Sequence, residues 1–337
     1  MDIVRNSRLV QLAGIGVEGV SRISTARVAL LGCGTLGCIY ALNLVRIGIA
    51  ELTIIDRDIV EESNLASQIL FDEEDARQIL PKAVAAKRHL ERMNANCRIL
   101  AIVRDFHPGN AEELLQGSDL VCDATDNFDA RFLLNDAAVK HSIPWIYTAV
   151  VGYTGLMKAV LPGRTACLRC FLNEPPPAGG LPTCETDGVW LAAAQNIVSL
   201  GCSEALRILL GQNVDGGLFE VDHRKMVQRR LEVALRVDCP TCGHRQFDFL
   251  QKKSGLQADK QCGRDMVYLS PQRTTHLDLT SLREKLKDDF ACSLNEYLLH
   301  LRGAGIEIYL FADGRAFIKG VTDPGRARSL YHRYISA

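Results

Sequence analysis

The stretch that decides the fold is residues 27–56, RVALLGCGTLGCIYALNLVRIGIAELTIID. Two apolar runs flank a turn with three glycines in G-x-G-x-x-G spacing, namely Gly32, Gly34 and Gly37. Glycine lets the backbone turn tightly and approach a phosphate, and a helix that begins near Thr35 directs its free N–H groups at that anion. An acidic residue at Asp56 can accept ribose hydroxyls. The stretch predicts a strand, turn, helix and strand that bind a nucleotide; a purely structural glycine turn is the alternative.

Composition and charge narrow the class of protein. The 337 residues include 39 Lys plus Arg and 40 Asp plus Glu, so no charge bias favours nucleic acid or an anionic membrane as partner. The first residues, MDIVRNSR, lack the apolar core of a signal peptide. The longest apolar stretch, residues 188–203, contains amides and predicts a buried helix rather than a membrane span. Because domains usually have about 150 residues, we expect about two domains. We also expect a soluble, cytoplasmic protein.

A cation and an acidic group fall where a phosphate site needs them. Lys82 follows Pro81 at the start of a predicted helix, a poor position for a cation unless an anion is nearby. Asp126 and Asn127 follow a predicted strand at 119–122, where a carboxylate can coordinate Mg²⁺ beside phosphates. The alternatives are a plain surface lysine and an N-cap for the next helix.

Two C-x-x-C pairs, Cys167 with Cys170 and Cys239 with Cys242, predict a metal site. Four thiolates suit tetrahedral Zn²⁺ in a closed, structural site, with Zn–S distances of about 2.3 Å. The long intervening segment makes this a clamp between distant parts of the chain. Redox disulfides are the alternative, and His244 is interpreted as a neighbour because four cysteines already satisfy the metal.

Residues 255–337 differ in character from the rest. An amphipathic helix is predicted over 279–287, and IEIYLFADGRAFIKG alternates around Asp313-Gly314, a strong hairpin signal. The pattern indicates a small α+β module without obvious catalytic residues. A partner-docking or dimer-stabilising role is our interpretation, with a passive appendage as the alternative.

Taken together, the first 250 residues resemble the ThiF/MoeB/HesA family of adenylyltransferases that activate ubiquitin-like proteins. The matching motifs are Arg5-x-x-Arg8, the glycine turn, Asp56-x-Asp58, Ser63-Asn64-Leu65, Pro81-Lys82, Thr125-Asp126-Asn127 with Arg131 and Asn135, both cysteine pairs, and Thr183-Cys184. The resemblance implies a Rossmann-like, doubly wound, mainly parallel α/β sheet. It also favours ATP over NAD, because a dehydrogenase has no use for Lys82, Asp126 and a zinc clamp in this order.

The resemblance further implies a nucleotide-binding set, which is Gly32, Gly34, Gly37, Asp56, Asp58, Asn64, Lys82, Asp126 and Asn127. Asp56 would hold the ribose, Lys82 would face the phosphates and Asp126 would carry Mg²⁺. Arg8 resembles an N-terminal arginine that reaches into the partner subunit's site, so a homodimer is expected.

The implied chemistry is attack by the C-terminal glycine carboxylate of a ThiS/MoaD-type sulfur carrier on the α-phosphate of ATP. An acyl-adenylate and pyrophosphate result, and sulfur from a persulfide donor, or another nucleophile, then displaces AMP. Cys184 matches a loop cysteine that some relatives use in thiol or persulfide exchange and others do not need. The implied catalytic set is Arg8, Lys82, Asp126 and Cys184.

One departure concerns the phosphate site. The family usually reads S-N-L-x-R-Q where this chain has Ser67 in place of the arginine. Losing one charged donor costs about 1.5–3 kcal/mol, and Arg57 or Arg77 could compensate. Two alternatives stay open: activation of another carboxylate, such as a peptide C-terminus, or of a modified tRNA base, and, because of Ser67, a weakened or non-catalytic scaffold that binds nucleotide or carrier.

Overall fold

The computed structural model describes residues 4–177, 180–252, 257–260, 266–271 and 276–335. The chain divides into two compact units, Met1–Lys252 and Lys253–Ala337. Each unit has its own sheet, of eight and six strands in the described parts.

The first unit alternates strands and helices along most of its length. Its strands are β1 (Arg27–Leu31), β2 (Glu51–Ile55), β3 (Arg98–Ile102), β4 (Leu120–Asp123), β5 (Trp145–Val151), β6 (Thr154–Val160), β7 (Leu218–Asp222) and β8 (Val227–Leu231). Its helices are α1 (Ser7–Val10), α2 (Gly16–Ile23), α3 (Thr35–Ile47), α4 (Glu73–Arg77), α5 (Lys82–Met93), α6 (Ala111–Leu115), α7 (Phe128–Lys140), α8 (Leu168–Phe171), α9 (Cys184–Asp187), α10 (Leu191–Leu210) and α11 (Asp248–Gln251). A short 3₁₀ helix spans Glu62–Asn64.

The sheet has the order β3-β2-β1-β4-β5-β6-β7-β8. The first five strands are parallel and the last three pair antiparallel. Leu31 is in register with both Ile55 and Asp123, so the carboxyl ends of β1, β2 and β4 meet at one edge. Ligands of open α/β sheets bind at this edge. The predicted Rossmann-like, mainly parallel fold is confirmed.

Helices α3 and α10 pack on one another and α10 covers β5 and β6, which buries the middle of the sheet. At the crossing, the fully buried Tyr40 donates or accepts a hydrogen bond with Thr148 Oγ1 at 2.6 Å. Gly201 of α10 faces the Tyr40 hydroxyl, and a side chain there would collide with it. Among the described residues, no helix combines the length and apolarity that crossing a membrane requires.

The second unit is antiparallel, in the order β11-β12-β13-β14-β10-β9. Its strands are β9 (Gln257–Lys260), β10 (Met266–Ser270), β11 (Ala291–Leu294), β12 (Leu298–Gly303), β13 (Ile306–Phe311) and β14 (Ala316–Lys319), with helices α12 (Leu279–Leu286) and α13 (Pro324–Tyr334). The predicted hairpin is confirmed, because β13 and β14 pair antiparallel across Asp313-Gly314. The pattern did not predict β11 or β12.

Candidate active site and metal centre

The glycine turn after β1 is closed by backbone contacts that leave no room for a side chain at Gly32 or Gly37. Gly32 has a φ of +89°, and a Cβ there would lie 2.7 Å from the Ala124 carbonyl oxygen. A Cβ at Gly37 would collide with the Gly32 carbonyl. Gly34 is the N-cap of α3, so the first amides of that helix open beside a bare backbone. This cradle fits a phosphate group.

Asp56 fastens the turn from the end of β2. Its Oδ2 accepts a hydrogen bond from the Cys33 N–H at 2.6 Å, and its Oδ1 accepts one from the Asp58 N–H at 2.7 Å. Burial raises the pKa of Asp56 to about 6, although the nearby Lys82 ammonium opposes this shift. Each carboxylate oxygen has a second lone pair, so Asp56 can still accept a ribose hydroxyl.

Lys82 is buried at the start of α5, with only 4% of its side chain exposed. Its Nζ lies 3.2 Å from Asp58 Oδ2, and its backbone N–H donates to the Asp58 carbonyl at 2.8 Å. Arg57 stands beside this pair, bonded to Asp105 at 3.0 Å and 3.9 Å from Asp58. Arg77 instead pairs with Glu74 on the exposed surface of α4. Of the two arginines predicted to compensate for Ser67, only Arg57 lies in the Asp58 network.

The loop after β2 brings Ser67 to the N-terminus of α3. Thr35 Oγ1 donates to Ser67 Oγ at 2.9 Å. The buried Gln68 side chain lies over Gly34, 3.9 Å from where a Cβ would stand. Asn64 is also buried, and its Oδ1 accepts from the Glu61 N–H at 3.2 Å, which holds the loop in shape.

The end of β4 holds a buried ion pair that sequence reasoning missed. Asp123 is fully buried, accepts from Thr125 N and Oγ1 at 3.0 and 2.7 Å, and lies 3.3 Å from Arg131 Nε. Burial raises the pKa of Asp123. Asp126 and Asn127 are exposed beyond this pair, and Asn127 is the N-cap of α7, accepting from Ala130 N at 2.8 Å. The N-cap of α7 is therefore Asn127 rather than Asp126, whose carboxylate faces solvent.

Two further predicted residues lie on short helices. Cys184 is half-buried as the first residue of α9. Against the lowering effect of burial, chiefly the Asp123 carboxylate raises the pKa of Arg131, and Asp126 and Cys184 add smaller effects. Arg8 is exposed on α1. The described residues therefore gather the glycine turn, Asp56, Asp58 and Lys82 at one edge of the sheet. Their roles toward a nucleotide stay predictions, as does the role of Arg8.

The two cysteine pairs come together in a compact cluster. Cys167 Sγ lies 3.6 Å from Cys239 Sγ, and Cys170 Sγ lies 3.4 Å from Cys242 Sγ. All four sulfur atoms are within 4.8 Å of one another. Tetrahedral Zn²⁺ with Zn–S bonds of about 2.3 Å places its sulfurs about 3.8 Å apart. The donor set and its spacing fit such a metal.

Sequence reasoning also missed the buried Asp136, and it named the neighbouring Asn135 only as a motif match. Both are fully buried on α7, beside the cysteine pairs. The available signal was two adjacent polar residues inside the otherwise apolar run FLLNDAAV.

The fold and the glycine cradle define a nucleotide-binding α/β protein with a four-cysteine centre. The model of the ThiF family matches residues 6–241. The chain belongs to the ThiF family, which confirms the resemblance seen in the sequence.

Relatives extend this match along the chain. The sulfur carrier protein ThiS adenylyltransferase of Bacillus subtilis is 37% identical over 334 residues, which cover 98% of this chain and 99% of that protein. The sulfur carrier protein adenylyltransferase of Thermus thermophilus is 35% identical over 249 residues, 72% of this chain and 91% of that protein. The adenylyltransferase and sulfurtransferase MOCS3 of Sus scrofa is 34% identical over 281 residues, 80% and 60% respectively.

The crystal structure of E. coli MccB with ATP has a similar fold. It matches with a TM-score of 0.62 at 19% identity, over 71% of this chain and 74% of that one. This likeness concerns the fold alone.

Proposed function

We propose that this protein is an ATP-dependent adenylyltransferase that activates the C-terminal glycine carboxylate of a ubiquitin-like sulfur carrier of the ThiS/MoaD type. The chain is a nucleotidyltransferase. The observation that carries the proposal is the glycine cradle fastened by Asp56 next to the Lys82–Asp58 pair. This site occurs in a chain that matches a ThiS adenylyltransferase over nearly its whole length.

In the first step, a carboxylate oxygen of the carrier attacks the α-phosphorus of ATP. The bond from that phosphorus to the bridging oxygen of the β-phosphate breaks, and pyrophosphate leaves with its electron pair. A carboxylate is already ionised at neutral pH, so the reaction needs no general base. It needs cations, because two anions meet and charge builds on the phosphates.

Each residue around the glycine turn has a separate role in this first step. Asp56 holds the ribose, the glycine turn and Asn64 lie along the nucleotide, and Asp58 orients Lys82 toward the phosphates. Arg57 supplies a second cation in place of the arginine that Ser67 replaces. Asp126, which is exposed beyond β4, would hold Mg²⁺ together with phosphate oxygens, a usual donor set for this ion, and Asn127 completes the binding set. The ion would neutralise phosphate charge.

In the second step, a persulfide sulfur attacks the carbonyl carbon of the acyl-adenylate. A carbon–sulfur bond forms, the carbon–oxygen bond to AMP breaks, and AMP leaves. The product is an acyl disulfide between carrier and donor, and the thiolate of Cys184, half-buried at the start of α9, then attacks the donor's sulfur. A disulfide between Cys184 and the donor forms, the bond to the carrier's sulfur breaks, and the carrier leaves as a thiocarboxylate. A persulfide donor protein supplies the sulfur.

The four cysteines bind Zn²⁺ as a structural clamp. In small zinc domains the binding free energy, on the order of 10 kcal/mol, is folding free energy. Metal analysis should find about one zinc per chain. A folded protein without metal contradicts this assignment.

The proposed unit is a cytoplasmic homodimer in which Arg8 of each protomer reaches the other active site. Residues 1–250 form the adenylyltransferase domain, and residues 255–337 form a module that docks a partner or stabilises the dimer. The match to the Bacillus relative supports a shared role for this module, because it covers 98% of the chain.

ATP–pyrophosphate exchange tests the proposal. Exchange should appear when a carrier that ends in Gly-Gly is added to the protein with ATP and Mg²⁺. The control is the same carrier without its last glycine. Absence of exchange with every such carrier encoded nearby would contradict the proposal. AMP release with a peptide or a tRNA, and none with a carrier, would favour a different substrate.

A further inference from the structure

Helix α7 connects the two centres of the first unit. Its N-terminal part contacts the end of β4, since Arg131 Nη2 donates to the Thr125 carbonyl at 2.5 Å and to the Thr148 carbonyl at 3.1 Å. Its C-terminal part carries the fully buried Asn135 and Asp136. Consecutive helical residues point about 100° apart, so these two side chains reach in different directions from one turn.

Asn135 bonds the first cysteine pair. Its Oδ1 accepts from the Leu168 N–H at 2.9 Å, and its Nδ2 donates to Cys167 Sγ at 3.8 Å. Leu168 directly follows Cys167, so both contacts fix the same bend of the backbone. An amide N–H that donates to the sulfur also stabilises the thiolate form that a metal requires.

Asp136 bonds the second pair. Its Oδ1 accepts from Thr241 Oγ1 at 2.8 Å, and its Oδ2 accepts from the Phe249 N–H at 2.9 Å. Thr241 is fully buried between Cys239 and Cys242. The Phe249 ring packs on Phe132 of α7 with centroids 4.9 Å apart, so this contact has an apolar support.

We propose that Asn135 and Asp136 form one positioning unit that docks both cysteine pairs on α7, so that the metal and the nucleotide bind cooperatively through this helix. The metal joins the two cysteine segments that α7 docks, which Arg169 also links through Asp248 at 2.9 Å. It thereby fixes the helix that opens at Asn127 and carries Arg131. The nucleotide half of this coupling rests on the proposed function. The docking half rests on the hydrogen bonds alone.

Zinc release into a chromogenic chelator tests the positioning unit directly, without any enzymatic assay. Thr241→Val removes the hydroxyl that Asp136 accepts from and keeps its volume, and Asn135→Ala removes the other contact. Each should speed zinc release about ten-fold or more, the usual effect of losing an outer-shell partner. Thr241→Ser should restore the slow rate, because it keeps the hydroxyl.

The control is Asn94→Ala, which removes a similarly buried amide that donates to the Val45 carbonyl at 2.9 Å, far along the chain from the cysteines. It should lower the melting temperature but leave zinc release within two-fold of wild type, on the additivity expected of independent sites. Equal release from wild type and Thr241→Val overturns the positioning unit. So does fast release from Thr241→Ser. If Asn135→Ala does not fold, the comparison of Thr241→Val with Thr241→Ser still tests the positioning unit.

Reciprocity tests the coupling. If zinc favours the arrangement that binds nucleotide, ATP with Mg²⁺ must tighten zinc binding, and zinc-stripped protein must bind ATP more weakly by the same factor. We expect a factor of about five or more in each affinity, within the usual range of coupling. Equal zinc affinity with and without saturating ATP overturns the coupling. A zinc-loaded chain that binds no ATP contradicts the proposed function and the coupling, while the release rates without nucleotide still decide the docking half.

Discussion

Thr35, the first residue of α3, donates its hydroxyl hydrogen to Ser67 Oγ at 2.9 Å. Ser67 therefore stands at the helix N-terminus that opens beside the glycine turn, where an arginine is usual in the family. We predict that Ser67→Arg raises ATP–pyrophosphate exchange about ten-fold or more, because a charged donor contributes about 1.5–3 kcal/mol. The assay is exchange with a Gly-Gly carrier.

Ser67→Ala is the matched control for that prediction. It removes the bond to Thr35 without adding charge, so exchange should not rise. A Ser67→Arg protein that exchanges no faster than wild type shows that the serine is not the limiting feature, and it favours the scaffold alternative where wild type is also inactive.

Lys82 is the cation that we expect to matter most for the first step. Lys82→Ala should lower exchange by roughly 10²–10³, the usual loss for one preorganised donor to developing charge. Lys87→Ala is the control on the same helix, because Lys87 is more exposed and pairs with Glu91 at 3.7 Å. A loss below ten-fold, or an equal loss in both variants, would refute the phosphate role.

Asp56 gives the site a pH dependence. Burial raises its pKa to about 6, so below this pH the protonated carboxyl can no longer accept both backbone hydrogen bonds and a ribose hydroxyl. Nucleotide affinity should rise as the pH increases through about 6 and stay level above it. Titrations of nucleotide binding from about pH 5 to about pH 8 measure this.

The raised pKa of Asp56 affects the stability of the fold in the opposite direction to nucleotide affinity. Because the folded pKa lies above the ordinary value of 3.8, Asp56 contributes most to the free energy of unfolding at low pH, and this contribution is lost as the pH rises from about 4 to about 6. Asp56→Asn should bind nucleotide weakly and show neither dependence. If Asp56→Asn keeps the wild-type pH dependence of nucleotide binding, a group other than Asp56 causes that dependence.

Arg8 allows a test of the proposed dimer. Arg8→Ala and Lys82→Ala should each be nearly inactive as homodimers. After subunit exchange of equal amounts, each mixed dimer has one site with an intact Lys82 and the partner's intact Arg8. Random mixing makes about half of the dimers mixed, and one of the two sites in each of these is intact. About one quarter of the wild-type activity should then be restored. Exchange activity that stays at the level of the separate variants argues that Arg8 acts within its own protomer or not at all.

Cys184 separates the two steps of the reaction. Cys184→Ser should leave ATP–pyrophosphate exchange within about two-fold, because the first step uses no thiol, and should abolish sulfur transfer to the carrier. Cys202→Ser on α10 is the control for the general loss of a half-buried thiol. Transfer that survives Cys184→Ser removes this residue from the mechanism.

Local signals explain how much of the fold the sequence predicts. The strand, turn, helix and strand of residues 27–56 appear as β1, α3 and β2, because glycine spacing and apolar runs act within a few residues. Helix α13 begins at Pro324, a residue type favoured in the first turn of a helix. By contrast, β12 has the sequence LLHLRG, whose short apolar run fits a helix or a strand until its neighbours in the sheet are known.

For the candidate site, too, the sequence predicts only what local signals determine. Residue types predict the four-cysteine donor set, since the chemistry of thiolates does not depend on the path of the chain. Pairings between separate elements do not appear in the sequence: Ser67 with Thr35, Asp123 with Arg131, and Asp136 with Thr241 are set by packing. The sequence therefore predicts which groups do the chemistry, and the fold decides which groups hold them.

The chain that follows Cys184 returns to the sheet almost at once. The Gly152 N–H donates to the Gly188 carbonyl at 2.8 Å, and the Trp190 N–H donates to the Gly152 carbonyl at 2.8 Å. Measured back from Gly188 at ~3.5 Å per extended residue, the Cα of Cys184 is confined to a radius of about 14 Å, and its thiol reaches only one side chain further. In the proposed second step Cys184 would therefore act only over a short range, so the donor must bring its sulfur close to that radius.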